Sequence, residues 1–435
     1  MKTRYSTYKS SGVEWIGEIP KHWELKRLGF GVDTIVPMRD KPEDLTGEIP
    51  WIRIEDNVGK YISKSKSSQG VSLETIKKMN LKVYPIGCVL TTCSCSFGTS
   101  MIVKEPIVSN QTFIGLVTKN DLLFNEYLYY ILQVWKEELE LQSSGSIQLY
   151  LSRDNFKSLR VLYPPLPEQE QIVKYLDEKT SQIDGLISVT EKKIELLKQK
   201  RTSLINEVVT KGLNPDVELK DSGVEWIGEI PVHWELRKGS TIGKYSKGNG
   251  IKKDEVKEVC FPCIRYGEIY TTYDVKFDKT VSFIDENTMY QSIRVTKGTL
   301  LLTGSGETLE DIGKCVVYTG NEEVFVGGDI IILKPHYDIF SEFLSYQINS
   351  ECIRVQREQS GKGGIIVHIY SKSFRDMRFP IPPLSEQEQI VEYIDTHTTE
   401  IDKLVSIEQR RIETLKEYRQ SLISEVVTGK IKVTE

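Results

Sequence analysis

The chain has 435 residues, 39% hydrophobic and 27% charged, with 57 Lys and Arg against 62 Asp and Glu for a formal charge of -5. This length exceeds what one hydrophobic core sustains and predicts two or more domains. The net negative charge excludes a diffusely basic surface, so any nucleic-acid contact must rest on locally concentrated cations.

In chain order, the first recognisable block is SGVEWIGEIPKHWEL, Ser11 to Leu25. A strand-rich stretch follows, with β-branched and aromatic runs punctuated by Gly and Asn in VGKYISKSKSS, GCVLTTCSCSF and SMIVKEPIVSNQTFIGLVTK. A helical pattern, Asn125 to Leu141, precedes the breaker PPLPEQEQIV at Pro164 to Val173. After it, apolar residues recur at steps of four and three at Ile183, Ile187, Ile194, Leu197, Leu204 and Val208, with Thr190 and Arg201 in the remaining seam positions. That is a heptad stripe, and a helix from about Glu168 to Val209 would run roughly 60 Å. Gly185 costs it about 1 kcal/mol of helix propensity.

A linker, TKGLNPDVELKD, leads into SGVEWIGEIPVHWEL at Ser222 to Leu236, which repeats the first block with one mismatch. A second strand-rich stretch and a helical pattern at Phe340 to Glu358 lead to PPLSEQEQIV at Pro382 to Val391. The stripe then returns at Ile401, Val405, Ile412, Leu415, Leu422 and Val426, with Glu408 and Arg419 in the gaps. The chain is a duplicated unit. We expect an α+β fold in which two mixed, strand-rich domains are joined by two long helices forming an antiparallel coiled coil, related by a pseudo-two-fold repeat. The expected parts are 1–163 (first head with its repeat segment), 164–212 (central helical arm), 213–221 (linker), 222–381 (second head) and 382–435 (C-terminal arm). Trp51 to Gly70 has no evident counterpart in the second half, so the heads are expected to differ. The cyclic order of the repeat places the two chain ends together, at the position equivalent to Asn214 and Pro215.

Catalytic signatures are missing from the sequence. There is no glycine-rich S-adenosylmethionine loop and no Asn/Asp-Pro-Pro-aromatic segment, since the PPL sequences follow Tyr163 and Ile381. Gln359 to Gly364, QSGKGG, lacks phosphate-loop spacing, and Glu255-Val256-Lys257 has no placed upstream aspartate to complete a nuclease metal site. Seven scattered cysteines, including the lone Cys260-x-x-Cys263, read as reduced thiols, and neither a metal site nor a cofactor is expected in this chain. No apolar run predicts a membrane span and the start lacks a secretion-signal core, so a cytoplasmic protein is expected. The duplicated His22 and His233 read as structural or partner-facing, and Trp15, Trp23, Trp226 and Trp234 as packing at the head–arm junctions.

The twin WIGEIPxHW segments, twin PPLxEQEQI helix starts and twin heptad arms ending in EVVT resemble the DNA specificity subunits of type I restriction-modification systems over essentially the whole chain. The resemblance implies two target-recognition domains, each reading one half of an asymmetric bipartite double-stranded DNA sequence. It also implies two methyltransferase subunits as partners, with S-adenosylmethionine, and restriction subunits with ATP and Mg, all bound outside this chain. A coiled-coil scaffold with two protein-binding heads and a self-contained nuclease remain as alternatives.

DNA contacts are then expected on the heads. In head one, Lys60, Lys64, Lys66, Ser67 and Ser68 form a polar, basic turn suited to phosphates, while Arg53, Asn57 and Gln148 carry the forked donors that read base edges. In head two the candidates are Lys247, Asn249, Lys252 and Lys253 on a Gly-rich turn, then Arg265, Lys362 and His368. Because the loops for cofactors are missing, the isolated chain is expected to show no methyl transfer with S-adenosylmethionine and no ATP or DNA hydrolysis with magnesium. Radiolabel and nuclease assays on contaminant-free protein check this, and turnover would refute it.

Overall fold

The computed structural model describes residues 4–37, 40–94, 97–119, 121–141, 151–251, 255–363 and 366–433. They fall into two compact units: one comprises the chain up to Glu191 together with the part from Arg410 onward, the other Lys192–Gln409. Each long helix contributes one segment to each unit.

The first unit is built on a five-stranded sheet in the order Val32–Ile35, Phe113–Thr118, Val89–Thr92, Ser100–Val103, Tyr61–Ile62. All pairings are antiparallel except the last. Alternate residues of the central strands feed two different cores. Val89, Ile102 and Leu116 face one that includes Tyr127, Leu132 and Trp135, whereas Leu90, Met101, Val103 and Phe113 face another with Ile52 and Tyr84. With both faces covered, the strands read as nearly continuous apolar runs rather than alternating ones. A three-stranded sheet places Ile49–Ile52 between Val108–Ser109, in parallel, and Gly70–Val71, in antiparallel pairing.

The second unit repeats this plan. Its five-stranded sheet runs Gly243–Lys247, Ile330–Pro335, Leu300–Thr303, Cys315–Tyr318, Lys276–Phe277, again with only the last pairing parallel. Where the first unit has a three-stranded second sheet, this unit has five strands in the order Val256–Lys257, Ser282–Ile284, Phe261–Ile264, Val324–Val326, Ile293–Val295, with Phe261–Ile264 beside Val324–Val326 in parallel and beside Ser282–Ile284 in antiparallel pairing. Trp51 to Gly70 therefore has a structural counterpart after all, in the chain following Phe261. The pattern of strands is shared while few residues are, among them Pro50, Ile52 and Arg53, which recur as Pro262, Ile264 and Arg265, because buried strand positions accept apolar side chains of similar volume.

The strand that ends each head pairs with the one that follows its HW dipeptide, Arg160–Tyr163 on Glu24–Arg27 and Arg378–Ile381 on Glu235–Lys238. Two prolines then break the strand and release the chain into the arms, Leu166–Lys211 and Leu384–Val427. At 46 residues the first arm is roughly 69 Å long. Both arms end on a glycine in the left-handed region, Gly212 (φ 75) and Gly429 (φ 74). A Cβ at Gly429 would also lie 2.3 Å from Pro20 Cδ.

Of the stripe residues, Ile183, Val208, Ile401, Leu422 and Val426 are buried; Ile187, Ile194, Leu197, Leu204, Val405, Ile412 and Leu415 are half-buried. Flanking Leu186, Val189, Leu404 and Ile407 are exposed. Of the polar seam positions, Arg201, Glu408 and Arg419 make cross-arm ties, while Thr190 Oγ1 donates to Leu186 O of its own helix. In the first unit Arg419 Nε lies 2.9 Å from Asp184 Oδ1. In the second, Arg201 Nε lies 3.2 Å from Asp402 Oδ1 and Lys193 Nζ 2.5 Å from Glu408 Oε1. Partner numbers fall as first-arm numbers rise, so the segments run antiparallel. After the second arm, the chain returns to the first SGVEWIGEIP: Lys430 Nζ donates to the carbonyls of Ile16 (2.7 Å) and Glu18 (2.6 Å), and Tyr8 Oη donates to Gly429 O.

Gly185 lies inside the continuous first arm, is exposed, and a Cβ there would meet nothing within 4 Å. Gly185→Ala should stabilise the protein by about 1 kcal/mol. Denaturant titration at unchanged m-value checks this; a neutral or destabilising result would contradict the exposed helical geometry.

Candidate nucleic-acid interface

Each head is fastened to the start of its own arm by the Glu-Gln pair of PPLxEQEQI. Gln169 Nε2 donates to Pro164 O (2.9 Å) and Leu122 O (3.1 Å) while its Oε1 accepts from Phe124 N (2.9 Å). Gln387 does the same with Pro382, Asp338 and Phe340. Both are fully buried, so each amide is satisfied by backbone groups that would otherwise be orphaned. The preceding glutamates receive the histidines of the HW dipeptides, with His22 Nε2 to Glu168 Oε2 and His233 Nε2 to Glu386 Oε2 both 2.8 Å. Trp23 and Trp234 are buried at these junctions; Trp15, 45% exposed, packs edge-on against buried Trp135 with ring centroids 4.9 Å apart, and Trp226 is 36% exposed.

In head one, a buried carboxylate shapes the basic turn. Asp56 accepts from the backbone N–H of Arg53 and of Lys66, both at 2.7 Å, and from Ser65 Oγ at 3.2 Å. A buried charge with this many donors is compensated, and the loop it staples is fixed. Lys64, Lys66, Ser67 and Ser68 are exposed on that loop, and Arg53 Nη2 reaches Ser67 Oγ at 3.3 Å. The structure thus brings Arg53, Lys64, Lys66, Ser67 and Ser68 together. Asn57, half-buried, closes a local turn, its Oδ1 accepting from Gly59 N at 3.2 Å.

Lys60 leaves this group. Its Nζ lies 2.5 Å from Asp177 Oδ1 on the arm and its side chain is only 14% exposed, which corrects its assignment as a phosphate contact. Sequence spacing could not distinguish it from Lys64, because only the folded sheet shows which lysine faces the arm.

Head two uses the same device. Glu268, buried, accepts from Arg265 N (3.2 Å), Arg265 Nε (2.8 Å) and Ser282 Oγ (2.6 Å). Arg265 Nη2 also lies 2.8 Å from Glu268 Oε1. Two of its fork nitrogens are committed within the head, which corrects the expectation that Arg265 offers a bidentate fork to a base. Beside it Cys263 is buried, and burial followed by the charge of Glu268 pushes its thiol up to about 12, so this half of the C-x-x-C stays protonated.

The counterpart of the Lys64 loop is the turn after Lys276–Phe277, which exposes Lys279, a residue that sequence reading missed. The only sequence signal is its place two residues after the apolar end of the edge strand, as Lys64 follows Ile62. The Gly-rich turn of head two is held tightly. Gly248 approaches the Gly327 carbonyl so closely that a Cβ would sit 2.1 Å from it, Gly328 N donates to Gly250 O at 2.9 Å, and β-branched Ile251 is held at φ 59. Lys247 is exposed near Asp329 (3.7 Å), whereas Asn249 Nδ2 donates to Gln291 O at 2.9 Å. Lys362 is exposed, and His368 Nδ1 lies 3.0 Å from Ser305 Oγ, which fixes the ring. Gln148, Lys252 and Lys253 lie outside the described residues.

The family model of the type I restriction modification DNA specificity domain matches residues 21–199 and 231–417. The type I restriction enzyme MjaVIII specificity subunit of Methanocaldococcus jannaschii is 25% identical over 424 residues, spanning 95% of this chain and 94% of that protein. A chain in the structure concerning complex assembly and conformational transition of the type I R-M system has a TM-score of 0.71 at 14% identity, covering 94% of this chain and 98% of its own. The HsdS subunit from Thermoanaerobacter tengcongensis has a TM-score of 0.55 at 15% identity, covering 95% of this chain and 98% of its own.

If the stapled loops face nucleic acid, each exposed lysine releases counterions on binding. Replacing Lys64 and Lys66 together by alanine should flatten the logarithmic salt dependence of DNA affinity by about 1.8, and Lys279→Ala by about 0.9. Binding isotherms across a salt series read these slopes. Unchanged slopes for both variants would remove the loops from the DNA surface.

Proposed function

This chain belongs to the type I restriction-modification DNA specificity family, and from that membership we propose that it selects an asymmetric, two-part DNA sequence for partner enzymes to modify or cut. It is a non-catalytic specificity subunit with two target-recognition domains. In this reading head one, within 1–163, and head two, within 222–381, each read one half-sequence, while the arms at 164–212 and 382–435 hold the halves at a set separation. Lys64, Lys66, Ser67 and Ser68, with Lys247, Lys279 and Lys362, supply phosphate contacts. Arg53 and His368 approach base edges, and Gln148, Lys252 and Lys253 complete the set.

The observation that carries the reading is the contrast between constant and variable parts. The HW segments and helix starts repeat almost residue for residue, whereas the heads share a topology yet expose different loops. One scaffold bearing two unlike readers suits a target with two unlike halves. The partners in this reading are two methyltransferase subunits, which carry S-adenosylmethionine, and restriction subunits, which use ATP and Mg, all in the cytoplasm where the DNA is. Apolar side chains left exposed along the arms, Leu186 and Val189 in one unit and Leu404 and Ile407 in the other, support helical docking of such subunits.

Reconstitution with the neighbouring methyltransferase and sequencing of methylated genomic DNA tests the proposal. The expected product is one motif of two unlike half-sequences around a fixed spacer, and replacing Trp51 to Val161 by a foreign head should change only one half. An undivided motif, or both halves changing together, would overturn it.

A further inference from the structure

Each head carries a lysine at the start of its edge strand that crosses to the arm packed beside it, Lys60 immediately before Tyr61–Ile62 and Lys276 one register position further along, in the place of Tyr61. In the first unit Lys60 Nζ meets Asp177 Oδ1 at 2.5 Å, and Tyr130 Oη donates to the same oxygen at 2.6 Å. In the second, Lys276 Nζ meets Asp395 Oδ2 at 2.5 Å and Tyr346 Oη donates to Asp395 Oδ1 at 2.6 Å. Asp177 and Asp395 occupy the same position of the repeat, IVxYxD, and the tyrosines the same position of the helices Asn125–Val134 and Ser341–Asn349. The contact recurs although the heads have diverged.

Its surroundings differ in one informative way. Lys276 has a second carboxylate, Glu342 Oε2 at 3.0 Å, and two residues earlier Asp274 Oδ2 lies 2.6 Å from Arg201 Nη2, the arginine that also makes the cross-arm tie to Asp402. The short segment Asp274–Lys276 therefore holds head two to both arm segments of its unit. In head one the position of Asp274 in the sheet register is taken by Gly59, which has no side chain to offer, so among the described residues the corresponding Arg419 pairs with Asp184. Lys60 has rings instead of a second carboxylate, with Tyr130 at 5.1 Å and Tyr61 at 5.5 Å from its Nζ. Asp177 precedes Asp184 by seven residues, and Asp395 precedes Asp402 by seven, about 10 Å along a helix. Each head is thus pinned two turns from a cross-arm tie.

We propose that Lys60–Asp177–Tyr130 and Lys276–Asp395–Tyr346 are positioning clamps that fix the angle of each head on its arm and thereby the spacer accepted between the half-sequences, with head one held more loosely than head two. This rests on the reading of the heads as DNA readers. The clamps touch no base; they act by restricting how each reader is presented. Ion pairs that cross from one packed element to another are suited to this, since they specify geometry more than they add stability.

The test uses the chain assembled with its methyltransferase partner and a DNA library holding the native half-sequences at spacers from two base pairs shorter to two longer. The parent should methylate one spacer. Asp177→Asn and Lys60→Met should each raise methylation of a neighbouring spacer relative to the native one by roughly fivefold, the factor a partly exposed ion pair supplies, while both half-sequences stay unchanged. Asp395→Asn, backed by the Arg201–Asp274 tie, should raise it less. A conservative variant guards against simple unfolding: Lys60→Arg keeps the cation beside Asp177 and should retain the parental spacer profile, and a profile shifted as far as that of Lys60→Met would overturn the role of the ion pair. A parent that methylates no split sequence would overturn the DNA-reader premise. A parent that does, with intact variant complexes keeping the parental spacer profile throughout, would overturn the clamps alone.

Discussion

A helix of 46 residues with an apolar stripe along one side cannot be stable alone in water, and the architecture follows from how that stripe is covered. In each unit it is covered by a segment of the other arm, so the two ends of the repeat are bound together through helix pairing rather than through the linker. The polar residues that interrupt the stripe fix the register of that pairing. Arg201 with Asp402, and Arg419 with Asp184, are the same pair seen in each copy, and a shift by one turn would part both at once. An all-apolar seam would be more adherent and less specific.

The second level of constraint lies where head meets arm. A strand leaves the head, two prolines end it, and the next residues must satisfy three backbone groups on two separate segments. Gln169 and Gln387 do this with one amide each, because an amide offers donors and an acceptor in one plane. Glutamate in the same place could accept but not donate. The histidine and glutamate contacts add a second layer, so the helix direction is set before the stripe begins.

Against this fixed frame the heads vary. Their sheets are buried on both faces, which tolerates substitution among apolar residues of similar size. Their loops are stapled from below by one buried carboxylate, Asp56 or Glu268, bonded to backbone and serine. Residues on the outer side of such a loop can change without disturbing the staple. That separation allows a specificity protein to alter what it reads while keeping the surfaces its partners recognise.

The duplication, the arms with their stripe, the strand-rich character of the heads and the lack of catalytic loops are all local or periodic properties, and the amino-acid order alone determined them. Periodicity of three and four leaves a helix little choice, and near-identical segments must fold alike. Pairings between distant residues were decided only in the tertiary structure. The chain from Trp51 to Gly70 and the chain after Phe261 share strands and the short Pro-x-Ile-Arg match of Pro50–Arg53 and Pro262–Arg265, too little for the sequence to reveal until the strands are seen paired. Lys60 and Lys64 are four residues apart and equally basic, yet sheet geometry sends one to Asp177 and leaves the other in solvent. Arg53 and Arg265 read alike as forked donors, but Arg265 turns two nitrogens onto one buried carboxylate, Glu268, whereas Arg53 divides its own between Glu55 (3.0 Å) and Ser67 (3.3 Å) on the loop surface. A side chain's charge is written in the sequence; its partner is set by which surfaces folding brings within about 3 Å of it.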